Sequence, residues 1–139
     1  MTAREWLNRA RYADREIKSL ENTIACERER ITSITPKLGG NTTSGSKDPH
    51  KFDHYVELLD ELEQKLNECY ALKAETFAVI KRLRDPRYRS VLQAYYVRGC
   101  TWEQVAVELN YSFRQVVRLR KAAIKEVEQY IPSGAQDAT

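Results

Sequence analysis

The sequence predicts an all-α protein in which a long antiparallel helical hairpin is followed by a C-terminal helix-turn-helix module. Apolar residues recur at steps of three and four along two long stretches, which is the spacing of amphipathic helices. Charged residues make up 31% of the chain, and only five Gly and four Pro are present, which is typical of helix surface rather than sheet. We expect the hairpin over residues 1–84, the module over residues 85–131 and a disordered tail over residues 132–139.

The first long helix is expected from about residue 3 to residue 35. Pro36 is expected to end it, because proline lacks the N–H that a helix interior needs. The Gly- and Ser-rich residues that follow predict a loop over residues 36–49. The apolar stripe of this helix has heptad-like spacing, is interrupted at Glu27, and consists of Trp6, Ala10, Ala13, Ile17, Leu20, Ile24, Ile31, Ile34 and Leu38.

The second long helix is expected to begin at Asp48 and Pro49 and to run to about Arg84. Asp48 supplies an N-cap oxygen, and Pro49 suits the first helical turn. Two amphipathic helices joined by a short loop should fold back on each other as an antiparallel hairpin. Each of the two apolar stripes is narrow, which predicts that the hairpin associates with a second copy or with a partner. The stripe of the second helix consists of Phe52, Tyr55, Leu59, Leu62, Leu66, Cys69, Phe77, Ile80 and Leu83.

Shorter helices are predicted after residue 84. The pair Asp85-Pro86 repeats the cap signal and opens a helix that Gly99 is expected to end in a left-handed conformation. Thr101 and Gln104 then have the spacing of a capping box, in which each side chain bonds the backbone N–H of the other residue. A brief helix should follow.

A second capping box, formed by Ser112 and Gln115, begins the last helix. The turn before it contains Asn110, a residue that tolerates a left-handed conformation. The small side chain of Ala106 lets the two helices approach closely, which indicates a helix-turn-helix. The expected buried side of the last helix consists of Val116, Leu119, Ala123, Ile124 and Val127, and its opposite side carries Arg114, Gln115, Arg118, Lys121 and Lys125.

Charge is distributed unevenly along the chain, although the overall formal charge is only +3. Residues 87–131 contain eight Lys and Arg against four Glu, or +4, whereas residues 47–86 contain seven basic against nine acidic residues, or −2. Basic side chains on the exposed face of a recognition helix suit guanine edges and phosphates. We therefore expect the last helix to enter the major groove of double-stranded DNA.

The stretch VLQAYYVRGCTWEQVAVELNYSFRQVVRLRKAAIKEVE resembles region 4 of bacterial sigma-70-type factors, which binds the promoter −35 element. With the hairpin in front of it, the chain also resembles phage and mobile-element regulators of the ArpU and RinA type. This resemblance implies a late-gene transcription activator in the bacterial cytoplasm. Asn110 stands where such motifs often have Gly, and Trp102 where a small polar residue is usual. No segment resembles the sigma region that melts the −10 element, so a free-standing sigma factor is disfavoured.

The resemblance implies two sets of DNA-contacting residues. The base-reading set, in which Arg114 and Arg118 are the expected readers, consists of Ser112, Phe113, Arg114, Gln115, Val117, Arg118 and Lys121. The phosphate-binding set consists of Arg98, Thr101, Trp102, Arg120 and Lys125. For Trp102 an equal alternative is packing against the hairpin rather than contact with DNA.

No enzyme activity and no cofactor are expected. The sequence has no nucleophile elbow, P-loop or dinucleotide fingerprint. His50 and His54 share helical spacing beside Asp53, but a third well-placed metal ligand is missing. Cys26, Cys69 and Cys100 form no Cys-x-x-Cys pair and indicate reduced thiols, with oxidation of Cys100 as a minor alternative. No signal peptide or membrane span is expected, which predicts a cytoplasmic protein.

Three functions are compatible with these patterns. The first is a transcription regulator that binds duplex DNA as a dimer, with the hairpin joining two copies or contacting RNA polymerase. The second is a DNA-packaging component similar to a terminase small subunit, which would form a larger ring. The third is an RNA polymerase adaptor that does not bind DNA unaided. Oligomer size and DNA binding at low salt discriminate among them.

Overall fold

The computed structural model describes residues 1–40 and 51–132, with side chains for residues 1–32 and 53–132. These residues form helices and no strand, which confirms the predicted all-α class. A π-helical turn, Gln93–Val97, extends the third helix. The α-helices of the described residues are α1 (Ala3–Gly40), α2 (Lys51–Ile80), α3 (Pro86–Leu92), α4 (Trp102–Leu109) and α5 (Phe113–Val127).

The chain divides into two compact units that do not follow the boundary predicted at residue 84. The larger unit contains residues 1–15 and 69–139, and the smaller unit contains residues 16–68. The start of α1 and the end of α2 therefore belong to the same unit as the three C-terminal helices. The physical reason is a shared core, in which Trp6 and Leu7 of α1 are buried with Val127 of α5.

Two apolar clusters form the core of the larger unit. Tyr88, Tyr95 and Trp102 are partly buried and pack against both clusters. Burying a single large apolar side chain stabilises a fold by about 1.5–3 kcal/mol, so these clusters are the main source of stability. One cluster consists of Ala3, Trp6, Leu7, Val79, Ile80, Leu83, Leu92, Tyr96, Ala123, Val127 and Ile131. The other consists of Val91, Ala94, Val105, Ala106, Val116 and Leu119.

Within the larger unit, α1 and α2 run antiparallel. Arg9 pairs with Glu75 at 3.5 Å, and Asp14 pairs with Lys73 at 2.8 Å. The residue later in α1 therefore pairs with the residue earlier in α2. The Asp14 and Lys73 side chains are only 8% and 19% exposed. Because a buried charge is costly without a partner, this ion pair fixes the relative register of the two helices.

Arg11 connects α1 to the C-terminal helices of the larger unit. Its Nη1 donates hydrogen bonds to the carbonyl oxygens of Tyr95 and Cys100, both at 2.8 Å. Its guanidinium also lies 3.8 Å from the centre of the Tyr95 ring. The last carbonyls of a helix have no partner within that helix, and Tyr95 lies in the π-helical turn that ends α3. Arg11 supplies the missing donors from a distant part of the chain.

In the smaller unit, α1 contributes buried side chains and α2 contributes exposed ones. Ile17 and Ile24 are buried, and Glu27, which interrupts the predicted stripe, is also buried and pairs with Arg30 at 3.1 Å. Arg28 of α1 forms an ion pair with Glu63 of α2. From residue 53 to residue 68, where the side chains of α2 are described, the large apolar residues remain at least partly exposed; they are Tyr55, Val56, Leu58, Leu59, Leu62 and Leu66.

Both long helices end at positions different from those predicted. Helix α1 continues through Pro36 to Gly40, because proline has a helical φ angle and removes only one backbone hydrogen bond. Helix α2 ends at Ile80 rather than near Arg84. The Leu83 N–H then donates to the Ile80 carbonyl at 3.1 Å, a bond between residues three apart, which forms a tighter turn than the α-helix. The predicted loop from residue 41, its Asp48 cap, and the tail from residue 133 lie outside the described residues.

Replacing Arg11 with Ala is expected to destabilise the larger unit by about 2–4 kcal/mol, because two part-buried carbonyl oxygens lose their donor. Urea unfolding followed by circular dichroism measures this loss. The control is Arg15→Ala, which removes the same charge from an exposed position on α1 and should change the unfolding free energy by less than about 0.5 kcal/mol. Equal effects of the two substitutions would contradict the assigned role of Arg11.

Candidate nucleic-acid interface

Helices α4 and α5 each begin with the capping box that the sequence predicts. The Thr101 hydroxyl accepts a hydrogen bond from Gln104 N–H at 3.1 Å, and the Gln104 side chain accepts one from Thr101 N–H at 2.9 Å. Ser112 and Gln115 repeat the arrangement at 3.1 and 2.8 Å. Satisfying these backbone groups fixes the first residue of each helix.

The turns before α4 and between α4 and α5 both contain a residue in the left-handed region. Gly99 has a φ of 79°, and Asn110 has a φ of 63° with a ψ of 39°. The Tyr111 N–H then donates to the Ala106 carbonyl at 2.9 Å, which closes the end of α4. Both predicted left-handed positions are confirmed, so the helix-turn-helix is specified locally by its sequence.

One side of α5 is buried against the rest of the larger unit. Val116, Ala123 and Val127 are fully buried, and Leu119 is 9% exposed. Ile124, which was predicted to belong to this buried side, is only half-buried. The small Ala106 of α4 lies in the same cluster as Val116, which allows the close helix approach that was expected.

The opposite side of α5 carries four exposed cations, Arg114, Arg118, Lys121 and Lys125. They follow one another at spacings of three or four residues and therefore share one helix face. Within the described part of the chain, no ion pair or hydrogen bond joins their side chains to another residue. The face is thus positively charged and uncompensated, with donors that can contact an anionic ligand.

The remaining residues of the predicted base-reading set have varied surroundings. Ser112 and Gln115 are exposed, but their oxygens are used in the capping box, which leaves the Gln115 amide nitrogen as its remaining donor group. Phe113 is 48% exposed at the first residue of α5. Val117 is half-buried, one turn before Lys121.

Two residues of the predicted phosphate-binding set already have partners. Arg98 forms a bidentate ion pair with Glu108, at 2.7 and 2.8 Å. This pairing raises the pKa of Arg98 and lowers the pKa of Glu108. The Thr101 hydroxyl and N–H are both used in capping α4. The positive charge at Arg98 is therefore balanced within the protein.

Trp102 is partly buried within the larger unit and packs against both apolar clusters. Its ring stacks on Tyr95 with centres 3.7 Å apart and planes 6° apart. Because Tyr95 covers one face of the indole, the Arg120 guanidinium, 4.9 Å from the ring centre, must approach its other face. Arg11 lies over the Tyr95 ring, so Arg11, Tyr95, Trp102 and Arg120 form one continuous stack.

Sequence reasoning missed Arg11 and Arg4. Arg11 contacts residues more than 80 positions away, and no local pattern marks such a partner. Arg4 lies close to the phenol of Tyr96, a residue that is 1% exposed. Burial raises the pKa of Tyr96 to about 12. The run Tyr95-Tyr96 was the available signal that an aromatic cluster lies here.

Other candidate sites have ordinary surroundings. His54 lies 3.9 Å from Glu57, and His50 lies outside the described residues. No group of three or more His, Cys, Asp or Glu residues in the described chain is placed to hold a metal ion. Cys26 is exposed, Cys69 is buried and Cys100 is half-buried, and none of the three is joined in a disulfide. None of the helices, over the described residues, is long and apolar enough to cross a membrane.

The chain matches a known protein family. Residues 31–128 match the family described as "protein of unknown function (DUF1492)", and this range includes α2 and all of the helix-turn-helix. No curated protein and no solved structure matches the chain.

Replacing Asn110 with Ala is expected to destabilise the fold by about 1 kcal/mol, because a β-carbon without a local polar partner disfavours the left-handed region. Asn110→Gly should be neutral within about 0.5 kcal/mol, since glycine adopts this conformation freely. Thermal unfolding of the two variants measures the difference. If the alanine variant is as stable as the glycine variant, the left-handed turn is not what holds α4 and α5 in place.

Proposed function

Because the chain belongs to the DUF1492 family, whose description states no activity, we propose its function from its own residues: a sequence-specific transcription regulator that binds double-stranded DNA. The observation that supports this most strongly is the uncompensated basic face of α5, which begins at a capped helix N-terminus immediately after a tight turn. A helix with this placement in a helix-turn-helix enters the major groove.

Arg114 and Arg118 are proposed as the base readers. Both lie in the first two turns of α5, the part of a recognition helix that reaches base edges. An Arg guanidinium donates two hydrogen bonds to guanine O6 and N7, and each such contact contributes about 1–3 kcal/mol of discrimination. The Gln115 amide nitrogen can donate to a purine N7, although the bidentate contact with adenine would also need the oxygen that the capping box uses.

Lys125 and Arg120 are proposed as phosphate contacts. Lys125 lies farther along the same exposed face, and Arg120 is held in place over Trp102. Contacts of this kind position a protein on the duplex and make its affinity depend on salt. Arg98 contributes less than expected, because its charge is balanced by Glu108.

We further propose that the protein acts as a dimer joined through its hairpin. The partly exposed apolar residues of α2 in the smaller unit support this, with Val56 at 40% and Leu58 at 39% exposure. A second copy would bury these side chains. Two recognition helices in a dimer require half-sites about 10 base pairs apart, or a multiple of that spacing.

The specific role of a phage late-gene activator rests on the resemblance to regulators of the ArpU and RinA type. In that role the protein would act in the cytoplasm of a bacterial host, and the hairpin or the α4 surface would contact RNA polymerase. The exposed Val107 of α4, at 80%, offers an apolar contact point beside the proposed DNA interface.

Selection of binding sites from a random duplex library tests the proposed function. We expect an enriched motif in two half-sites, because a dimer presents two recognition helices. A single enriched half-site would contradict the proposed dimer but would still support a sequence-specific transcription regulator. Good binding at low salt without any enrichment would contradict sequence-specific regulation and favour DNA packaging, whereas no binding at low salt would favour the polymerase adaptor.

Substitutions on α5 should separate base readers from phosphate contacts. Arg114→Ala and Arg118→Ala are each expected to cost about 1–3 kcal/mol on the selected site and to relax its sequence preference. Lys125→Ala should weaken binding equally on all sequences and lower the salt dependence. Fluorescence anisotropy on specific and scrambled duplexes measures both effects. Equal, sequence-independent losses for all three variants would refute the assignment of base readers.

A further inference from the structure

A basic cleft lies beside α5, between that helix and the first turn of α1. It has a volume of about 390 Å³ and is lined by Arg4, Val117, Arg120, Lys121 and Ile124. All five residues belong to the larger unit. Three of them carry a positive charge, and none of the lining residues is acidic. We refer to this site as the Arg4 cleft.

The charge of the Arg4 cleft distinguishes it from other clefts in the described chain. A cleft beside the first residues places Lys125 next to Glu128, and a cleft in the smaller unit places Arg28 next to Glu63. In each of these two clefts, unlike the Arg4 cleft, a carboxylate is among the lining residues. Three cations around one cleft repel one another, and binding an anion relieves that repulsion. The composition of the Arg4 cleft is therefore that of an anion site.

The two arginines of the cleft are held by aromatic partners that leave their charge uncompensated. Arg120 lies over the Trp102 ring at 4.9 Å. Arg4 lies close to the phenol of Tyr96. Neither partner is a carboxylate, so both guanidinium groups keep their full charge and most of their donors. Preorganised guanidinium groups of this kind suit bidentate recognition of phosphate.

We propose that the Arg4 cleft binds a phosphate group of the DNA backbone, so that the N-terminal end of α1 forms part of the DNA interface. This inference rests on the proposed function. Lys121 belongs both to the cleft and to the basic face of α5, which makes the cleft continuous with the proposed major-groove surface.

The apolar lining of the cleft favours a backbone phosphodiester over free phosphate. Val117 and Ile124 offer carbon surface beside the three cations. A phosphodiester has deoxyribose carbons on either side of its charged oxygens, whereas inorganic phosphate is polar throughout. Contacts of this kind read no bases, so Arg4 should contribute to affinity and not to sequence preference.

Salt titration of DNA binding by the full chain tests the proposal. The variant Arg4→Gln keeps a hydrogen-bond donor but removes the charge. The slope of log affinity against log salt concentration, which is negative, should become about 1 less steep in this variant. The loss should be the same on the selected site and on a scrambled duplex. Arg4→Lys should retain the slope of the unsubstituted protein, and so should Arg15→Gln, the matched control on α1. Thermal unfolding checks that each variant is folded.

Several outcomes would overturn the proposal. An unchanged slope in Arg4→Gln would refute the cleft while leaving the DNA-binding function intact, whereas absence of any duplex binding by the unsubstituted protein would refute that function first. A reduced slope in Arg4→Lys as well would show that charge is not the cause. Calorimetric binding of inorganic phosphate that depends on Arg4, with duplex binding unaffected, would assign the cleft to a free anion instead.

Discussion

The stack of Arg11, Tyr95, Trp102 and Arg120 is the interaction on which the rest of the larger unit depends. It joins α1, the π-helical turn, α4 and α5 in one continuous contact. Arg11 additionally satisfies the carbonyl oxygens of Tyr95 and Cys100, just before α4 begins. The orientation of the helix-turn-helix is therefore set by its packing on the first helix of the chain, as well as by its own turn. Arg120, held at the outer end of this stack, links that packing to the proposed DNA surface.

The electrostatic pattern follows from which cations find internal partners. Arg98 is paired with Glu108, and Lys73 is paired with Asp14, so the charges of these two cations are balanced within the protein. The cations on the outer face of α5 have no such partner among the described residues. The sum over a segment, +4 for residues 87–131, does not make this distinction. The positions of the carboxylates decide where an anionic ligand can be attracted.

Local features of the fold were predictable from sequence, whereas long-range ones were not. The capping boxes, Gly99 and Asn110 are specified within a few residues, and the buried side of α5 follows from helical periodicity. Arg11 and Arg4 were missed because their partners are distant in sequence and no periodic pattern marks them. The end of α1 was misplaced because Pro36 restricts a helix without always ending it. For the candidate site, the chemistry of each residue was predictable, but its partner was not, as Arg98 and Trp102 show.

The discontinuous larger unit has a consequence for the evolution and synthesis of the chain. Residues 16–68 are an insertion between its two parts. None of the residues in the two apolar clusters lies within this insertion, so its length can change without a substitution in that core. During translation, the apolar cluster that buries Trp6 and Leu7 cannot be completed until α5 has been synthesised. The nascent chain therefore exposes this apolar surface until α5 has left the ribosome, and chaperones that bind exposed apolar segments would recognise it during that time.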